Sequence, residues 1–311
     1  MASPSSLLVS GAAGFLGRRV LRAALDAGNQ VTAVIRACER ESARELVDVP
    51  VVELDWNDEA ALVDLLRIAS PSAIVHCAGH SGRFAGVPDV SELRDANVGL
   101  TGRLLEGVRR ACPEARVVLL SSAAVYGVSP PVPTPEDAPL LPVSDYGASK
   151  LLSEQLARSF AARGVATIVA RPFNVIGPGE PPGSVVARLA AQALEAPRGG
   201  TVRVSLHEVA SVRDFIDVDD VARALVVLSS RGTAGKAYNV CSGRGVSIGE
   251  LVERASRVWQ RRIELGVEDA GAAATISVGD PSALAALGWR SERSLEESLA
   301  AIAAEVAHVA A

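Results

Sequence analysis

Lysine is scarce in this chain, and basic residues nowhere form a long block. Of the 31 basic residues only Lys150 and Lys236 are lysines, the arginines stand singly or in pairs, and the formal net charge is -5. A protein whose main partner is nucleic acid usually presents a basic stripe to the phosphate backbone. We therefore expect no nucleic acid partner. Because arginine serves wherever a generic cation suffices, lysine at position 150 needs a specific reason.

Long apolar runs are also missing, although hydrophobic residues make up 49% of the chain. The longest stretches, such as residues 116–125, are far shorter than the roughly 20 residues that cross a bilayer. The N-terminal residues 1–4 show no basic segment followed by an apolar core, which is the pattern of a secretory signal. We expect a cytoplasmic protein that does not associate with membranes.

Cysteine and histidine are few and dispersed. None of the four cysteines forms a C-x-x-C pair, and none of the four histidines forms an H-E-x-x-H motif. Such spacing predicts reduced, buried thiols and no protein-bound metal. The cysteines are Cys38, Cys77, Cys112 and Cys241.

Short β-rich runs alternate with helical patterns through residues 7–170, which is a βαβ rhythm. Continuous apolar strands between helices predict an α/β fold, with a Rossmann-type doubly wound parallel sheet. After the turn-rich residues 177–183 the rhythm loosens, and 311 residues are enough for a second unit. We expect an NADP-binding domain over residues 1–172, with part of residues 211–240 returning to it. Residues 173–311 then form a smaller, mixed α/β substrate-binding lobe.

A glycine-rich turn follows the first strand and opens the first predicted helix. It has the spacing G-x-x-G-x-x-G, with Gly11, Gly14 and Gly17 at the glycine positions and Phe15 and Leu16 at the helix start. Glycine permits a tight turn and lets a pyrophosphate approach the backbone N–H groups of a helix N-terminus. We expect these five residues to bind a dinucleotide.

The second strand ends in Arg36, where an acidic residue would bind the ribose 2′-hydroxyl of NAD. A guanidinium group suits a 2′-phosphate, which a carboxylate would repel. The sequence therefore favours NADP(H) over NAD(H). Asp55, after the third strand, is a candidate adenine contact.

Tyr146 and Lys150 lie one turn apart at the start of a predicted helix, so both side chains share one face. A nearby ammonium group stabilises a phenolate, which makes Tyr146 a candidate for proton transfer. Ser121 and Ser122 end the strand over residues 117–120, at the edge where open α/β sheets bind ligands. A serine hydroxyl there could donate to a substrate oxygen.

Together these features resemble the extended short-chain dehydrogenases/reductases, in particular the nucleotide-sugar epimerase/dehydratase group, over nearly the whole chain. Further matching motifs are Val75-His76-Cys77-Ala78-Gly79, Asn97-Val98, Ser121-Ser122-Ala123-Ala124-Val125-Tyr126-Gly127, Arg171-Pro172-Phe173-Asn174, Arg213-Asp214-Phe215 and Tyr238-Asn239-Val240.

The resemblance implies roles for several residues and a partner. It makes Ser122, Tyr146 and Lys150 the catalytic trio, and a nucleotide-diphosphate sugar the substrate. Cofactor contacts would include Ala78, Asn97, Tyr146 and Lys150, and substrate contacts would include Ser122, Asn174 and Arg213. The resemblance also implies a homodimer through the helices that follow Asn97 and Tyr146.

Two departures from the family pattern narrow the chemistry. Sugar 4,6-dehydratases carry Thr-Asp-Glu where this chain has Ser122-Ala123-Ala124, so the acid and base of the elimination are missing. Family members often carry a second diphosphate-binding arginine in the stretch that corresponds to residues 268–274, which holds none here. Arg203, Arg244 and Arg261 are candidates to replace it.

Three functions agree with these residues. The first is an NADPH-dependent ketoreductase that acts on a nucleotide-linked 4-keto-6-deoxyhexose, with Tyr146 as the general acid. Residues 173–179, 213–215 and 238–243 look most similar to GDP-4-keto-6-deoxymannose reductases. The second is a nucleotide-sugar 4-epimerase with tightly held NAD, and the third is a non-catalytic NADP(H)-binding scaffold, which an intact trio disfavours.

Overall fold

A computed structural model describes residues 5–46, 49–80, 89–128, 132–197, 199–206, 209–267 and 274–309. Its central sheet contains seven parallel strands in the order β10-β6-β5-β4-β1-β2-β3. These strands are β1 (Ser6–Ser10), β2 (Gln30–Ile35), β3 (Val51–Glu53), β4 (Ala73–His76), β5 (Arg116–Leu120), β6 (Thr167–Pro172) and β10 (Ala237–Val240).

Helices cover both faces of this sheet. They and the later helices are α1 (Phe15–Asp26), α2 (Glu59–Ala69), α3 (Val90–Leu93), α4 (Leu100–Ala111), α5 (Asp145–Ala161), α6 (Val185–Leu194), α7 (Val218–Arg231), α8 (Ile248–Trp259), α9 (Ser282–Ala285) and α10 (Leu295–Val309). A π turn over Arg94–Gly99 joins α3 to α4. Helices α1 and α7 pack together on one face, and α2, α4 and α5 pack in series on the other.

Successive strand residues point to opposite faces, so each strand contributes to two cores. In β1, Leu7 and Val9 pack with α1 and α7, whereas Leu8 packs with α2 and α4. All four residues of β4 are buried. This double burial explains the continuous apolar strands in the sequence and confirms the predicted doubly wound parallel sheet.

The second half of the chain builds smaller sheets and returns once to the main one. Strand β9 (Val212–Asp217) pairs with β7 (Asn174–Ile176), β11 (Gly245–Ser247) and β13 (Ile276–Ser277), while β8 (Thr201–Leu206) pairs with β12 (Arg262–Val267). A separate core joins α6, α8 and α10. Helix α7 and strand β10 lie on the main sheet. The division into a cofactor domain and a substrate lobe stays a prediction about function.

One expectation about the cysteines is wrong. All four are free thiols and Cys241 is buried, but Cys38 is exposed. It lies in a 3-10 turn, Ala37–Glu39, that follows β2 and contains no buried residue. In the residues that the structure describes, helices long and apolar enough to cross a bilayer are absent.

Candidate active site

The glycine-rich turn is pressed against the end of β4. Gly11 has a φ of +67°, and a Cβ there would lie 2.7 Å from the main-chain nitrogen of Ala78. A Cβ on Gly17 would lie 2.1 Å from the carbonyl oxygen of Gly11. Both positions therefore require glycine.

The outer side of the same turn is open. A Cβ on Gly14 would meet only the carbonyl oxygen of Gly11, at 3.2 Å, and Gly14 itself is exposed. Within the described chain, no side chain caps the N-terminus of α1. The first-turn N–H groups of Phe15 and Leu16 thus lie at an accessible, electropositive helix end. This cradle fits the pyrophosphate of a dinucleotide.

The strand β2 ends at Ile35, one residue before the predicted end, and Arg36 follows it as the N-cap of the 3-10 turn. Its guanidinium group is already engaged. Its Nη2 lies 2.8 Å from Oε1 of Glu39, whose Oε2 accepts the main-chain N–H of Arg36 at 2.8 Å. The hydrogen bond that the guanidinium group donates to Glu39 raises the pKa of Arg36 despite partial burial. Asp55 is exposed after β3, and its carboxylate accepts the N–H of Asn57 at 2.9 Å. Their contacts with a cofactor stay predictions.

Tyr146 sits in the first turn of α5, which meets the turn that follows β5. Ser144 caps the helix by accepting the N–H of Gly147 at 3.1 Å, and Ser122 accepts the N–H of Ala124 at 3.2 Å. A Cβ on Gly147 would lie 2.7 Å from the carbonyl oxygen of Ala124. The absence of that Cβ lets the turn that carries Tyr146 approach the turn that begins at Ser122.

Lys150 lies beneath Tyr146 and is nearly buried, at 7% exposure. Its Nζ donates to the carbonyl oxygen of Leu120 at 3.0 Å and lies 5.9 Å from the centre of the Tyr146 ring. The ammonium group is thus fixed between the end of β5 and the tyrosine. This placement agrees with the specific reason for lysine that the sequence suggested.

Asn97 occupies the π turn before α4 and is buried. Its Oδ1 accepts the N–H of His80 at 2.9 Å, and its Nδ2 donates to Oγ of Ser149 at 2.9 Å. It therefore joins the loop after β4 to the residue beside Lys150. Whether Asn97 also contacts the cofactor stays a prediction.

A cavity of about 450 Å³ brings together the catalytic and substrate candidates Ser122, Tyr146, Asn174 and Arg213. Asn174 and Arg213 also line a second cavity of about 310 Å³ against the N-terminus of α6. Strands β7 and β9 place these two residues together because Asn174 pairs with Phe215, two residues beyond Arg213. The two cavities are therefore neighbours that share an amide and a guanidinium group.

Arg213 is held in place by Thr275, which follows residues 268–273, outside the described chain. Its Nη1 donates to the carbonyl oxygen of Thr275 at 2.9 Å, and its Nη2 donates to Oγ1 at 2.7 Å. The stretch in which family members carry the second diphosphate-binding arginine, residues 268–274, lies outside the described residues except for Ala274.

Arg188 is a candidate that the sequence reasoning missed. It lines the second cavity from the first turns of α6, four residues after the helix cap Ser184. Three arginines were candidates to replace the family's second diphosphate-binding arginine: Arg203, Arg244 and Arg261. None of them is among the described residues that line the two cavities. The signal in the sequence that could have revealed Arg188 is Ser184, a capping serine before an apolar helix.

A buried ionic network lies below the candidate catalytic residues and was also missed. Arg171 at the end of β6 donates to both oxygens of Glu154, at 3.0 and 2.7 Å, and both side chains are 3% exposed. Ser121 donates to Glu154 as well, and the remaining Arg171 nitrogen donates to the hydroxyl of Tyr126 at 2.8 Å. Burial opposes the charge of Arg171, but Glu154 outweighs it and raises its pKa. Burial raises the pKa of Tyr126 to about 12.

Other features lie apart from this centre. A cavity of about 1040 Å³ between α1 and α7 contains five arginines and three carboxylates, but not Tyr146. Among the described residues, no group of three His, Cys, Asp or Glu side chains is arranged to hold a metal ion. The catalytic roles of Ser122, Tyr146 and Lys150 stay a prediction.

Comparison with known proteins agrees with this architecture. The chain is 32% identical to a UDP-glucose 4-epimerase of Azospirillum brasilense, covering 93% of this chain and 87% of that protein. It is 30% identical to a GDP-6-deoxy-D-mannose reductase of Pseudomonas aeruginosa, covering 95% of each. The solved structure of RMD from P. aeruginosa complexed with NADPH is 28% identical, with a TM-score of 0.82 over 97% of this chain and 98% of that one.

The match to a family is equally extensive. Residues 7–241 match the family described as NAD dependent epimerase/dehydratase, which spans the glycine turn, the Tyr146 and Lys150 helix and the returning strand β10. Relatives at about 30% identity include both reductases and epimerases, so the family, and not a single reaction, is established. This chain belongs to the NAD dependent epimerase/dehydratase family of extended short-chain dehydrogenases/reductases.

Proposed function

We propose that this protein is an NADPH-dependent ketoreductase that acts on a nucleotide-linked 4-keto-6-deoxyhexose. The observation that carries the proposal is the composition of the catalytic cavity. Its described lining includes Ser122 and Tyr146 but no aspartate or glutamate, and Ala123 and Ala124 occupy the dehydratase acid positions. Reduction of a ketone needs one hydride and one proton, and it needs no carboxylate.

The two neighbouring cavities divide the substrate between them in this proposal. The sugar lies beside Tyr146 and the nucleoside lies against α6, so the diphosphate falls where Asn174 and Arg213 line both spaces. A guanidinium group held by two hydrogen bonds to Thr275 is pre-positioned for phosphate oxygens. Arg188 supplies a second cation on the nucleotide side.

NADPH, when bound, would supply the hydride from its nicotinamide ring. Its pyrophosphate would lie at the Gly14 cradle. Ser122 would donate to the keto oxygen and orient the sugar. Tyr146 would protonate the oxygen as it gains negative charge, and the Lys150 ammonium would stabilise the resulting phenolate.

A 4-epimerase is the second candidate, and one observation favours it. Glu39 lies at the end of β2, where an acidic side chain suits the ribose of NAD. An epimerase would use the same Ser122, Tyr146 and Lys150, since it removes a hydride and then returns it to the other face of the sugar.

The test uses purified protein with a panel of nucleotide-linked 4-keto-6-deoxyhexoses. We expect stoichiometric NADPH oxidation, a 4-hydroxyl product by NMR, and no interconversion of UDP-glucose and UDP-galactose. Tyr146→Phe should lower turnover by about 10²- to 10⁴-fold while the Kd for NADPH stays unchanged. Tightly bound NAD with isomerisation and no net NADPH loss would replace this proposal with the epimerase. Near-normal turnover of the variant would show that Tyr146 does not transfer the proton.

A further inference from the structure

The sequence has no acidic residue directly after β2. Glu39, three residues after Arg36, supplies a carboxylate there instead. Glu39 closes the 3-10 turn Ala37–Glu39, and this turn directs its side chain back toward the strand end. Its Oε2 accepts the main-chain N–H of Arg36 at 2.8 Å, and its side chain is only 20% exposed. A carboxylate therefore lies at the edge where dinucleotide-binding sheets receive the adenosine ribose.

The same carboxylate also pairs with the guanidinium group of Arg36, which is the cation that a 2′-phosphate would need. Oε1 of Glu39 lies 2.8 Å from Nη2 of Arg36, so one carboxylate contacts both the main chain and the side chain of this arginine. A ribose diol binds well to a carboxylate, whereas a 2′-phosphate binds to guanidinium and is repelled by a carboxylate. Arg36 and Glu39 thus favour opposite cofactors from one position.

Two further arginines of this segment also face carboxylates. Arg40 pairs with Glu53 at 2.7 Å, and Arg44 lies 3.9 Å from Glu41. The arginines of this segment whose side chains the structure describes each face a carboxylate. A 2′-phosphate must therefore compete with Glu39 for Arg36. The strand end is also close to the cradle, since the N–H of Ala12 donates to the Val34 carbonyl oxygen at 3.3 Å.

We propose that Glu39 is a specificity-determining residue that holds the preference for NADPH over NADH below about tenfold. When NADPH binds, Arg36 exchanges the Glu39 carboxylate for the 2′-phosphate. When NADH binds, Arg36 keeps its partner and Glu39 accepts from the ribose hydroxyls. The inference rests on the dinucleotide site of the proposed function and is independent of which sugar is bound.

The experiment measures Kd for NADPH and for NADH by fluorescence titration of the full-length protein, without a sugar substrate. Glu39→Gln removes the charge at nearly constant size. We expect it to tighten NADPH binding by about tenfold and to weaken NADH binding by several fold. Arg36→Gln should weaken NADPH binding and leave NADH binding within about twofold. Glu41→Gln is the matched control, because Glu41 is 91% exposed and should change neither Kd.

Two results would overturn the inference. One is a Glu39→Gln protein whose ratio of the two Kd values equals that of the wild type and of Glu41→Gln. The other is a wild-type protein that prefers NADPH over NADH by more than about tenfold, a discrimination above roughly 1.4 kcal/mol. The titration measures dinucleotide binding alone, so its result does not depend on whether the protein reduces a keto-sugar. A negative titration likewise says nothing about the proposed reaction, which the turnover assay tests.

Discussion

Glutamine at position 154 would remove the negative charge that faces Arg171 in the core below the catalytic cavity. Both side chains are 3% exposed, so the guanidinium group would be left without its counter-ion in a region that water does not reach. Breaking a buried pair from one side costs about 3–5 kcal/mol, and much of this is the penalty of the unpaired charge. Because glutamine keeps one oxygen acceptor, we expect Glu154→Gln to lower the free energy of unfolding by about 3 kcal/mol.

The double variant Glu154→Met with Arg171→Met should lose less stability than either single methionine variant. It removes both charges together, and a buried pair exchanged for apolar side chains of similar size is often nearly neutral. Some loss remains, because the hydroxyl of Tyr126 and the Oγ of Ser121 lose partners, at about 1 kcal/mol or more each. The expected coupling between the two sites is therefore at least about 2 kcal/mol.

Urea unfolding followed by tryptophan fluorescence measures these differences. Glu106→Gln is the control, because Glu106 forms ion pairs with Arg109 and Arg110 on the surface of α4, at 2.7 and 2.6 Å. Surface pairs contribute about 1 kcal/mol or less, so this variant should stay close to the wild type. Two results would refute the view that Glu154 and Arg171 form a coupled buried ion pair. One is a Glu154→Gln protein that is no less stable than the control. The other is a double methionine variant whose stability loss equals the sum of the two single losses.

Two further predictions concern a buried histidine and a helical glycine. Burial lowers the pKa of His76 to about 3 from 6.5, so its stabilising contribution is complete above pH 6.5. As the pH falls below that value, stability should fall by up to about 1.4 kcal/mol per unit. Urea titrations at about pH 7.5 and 5 measure this loss of stability. The wild type and Ser10→Ala should show it, and His76→Asn should show a smaller loss. Equal losses in all three proteins would contradict the role of His76. Gly147→Ala places a Cβ 2.7 Å from the Ala124 carbonyl oxygen, so turnover should fall by about tenfold to a hundredfold. Gly99→Ala should keep wild-type turnover, because its Cβ would lie 3.4 Å from Nη1 of Arg103 and 4.0 Å from the Arg94 carbonyl oxygen, which are ordinary contacts. Equal turnover in both variants would contradict the packing argument.

The central sheet could be predicted because its physical cause is visible in the sequence. Strands covered by helices on both faces are apolar at nearly every position, as Ala73, Ile74 and Val75 of β4 are. The smaller lobe gives a weaker signal. Strand β13 contains two residues and β7 three, so their pairing with β9 depends on contacts with distant segments and leaves no periodicity to read.

The site was predictable only where local geometry fixes it. A four-residue spacing puts Tyr146 and Lys150 on one helix face, and the end of a parallel strand puts Ser122 near them. The partner of Arg36 could not be inferred in this way. Glu39 reaches back because residues 37–39 form a 3-10 turn, and no rule for strand ends specifies the conformation of the segment that follows.

The contrast between Lys150 and Arg171 shows why one chain uses both cations in neighbouring places. Lys150 reaches the Leu120 carbonyl oxygen with a single Nζ, and a Cβ on Gly79 would lie only 3.6 Å from that atom. A compact ammonium group suits this single acceptor. Arg171 must instead contact both oxygens of Glu154 and the Tyr126 hydroxyl at once, which only a fork of several donors can do. In a chain with two lysines among 31 basic residues, Lys150 places a point charge beside Tyr146, whereas Arg171 bridges several buried groups.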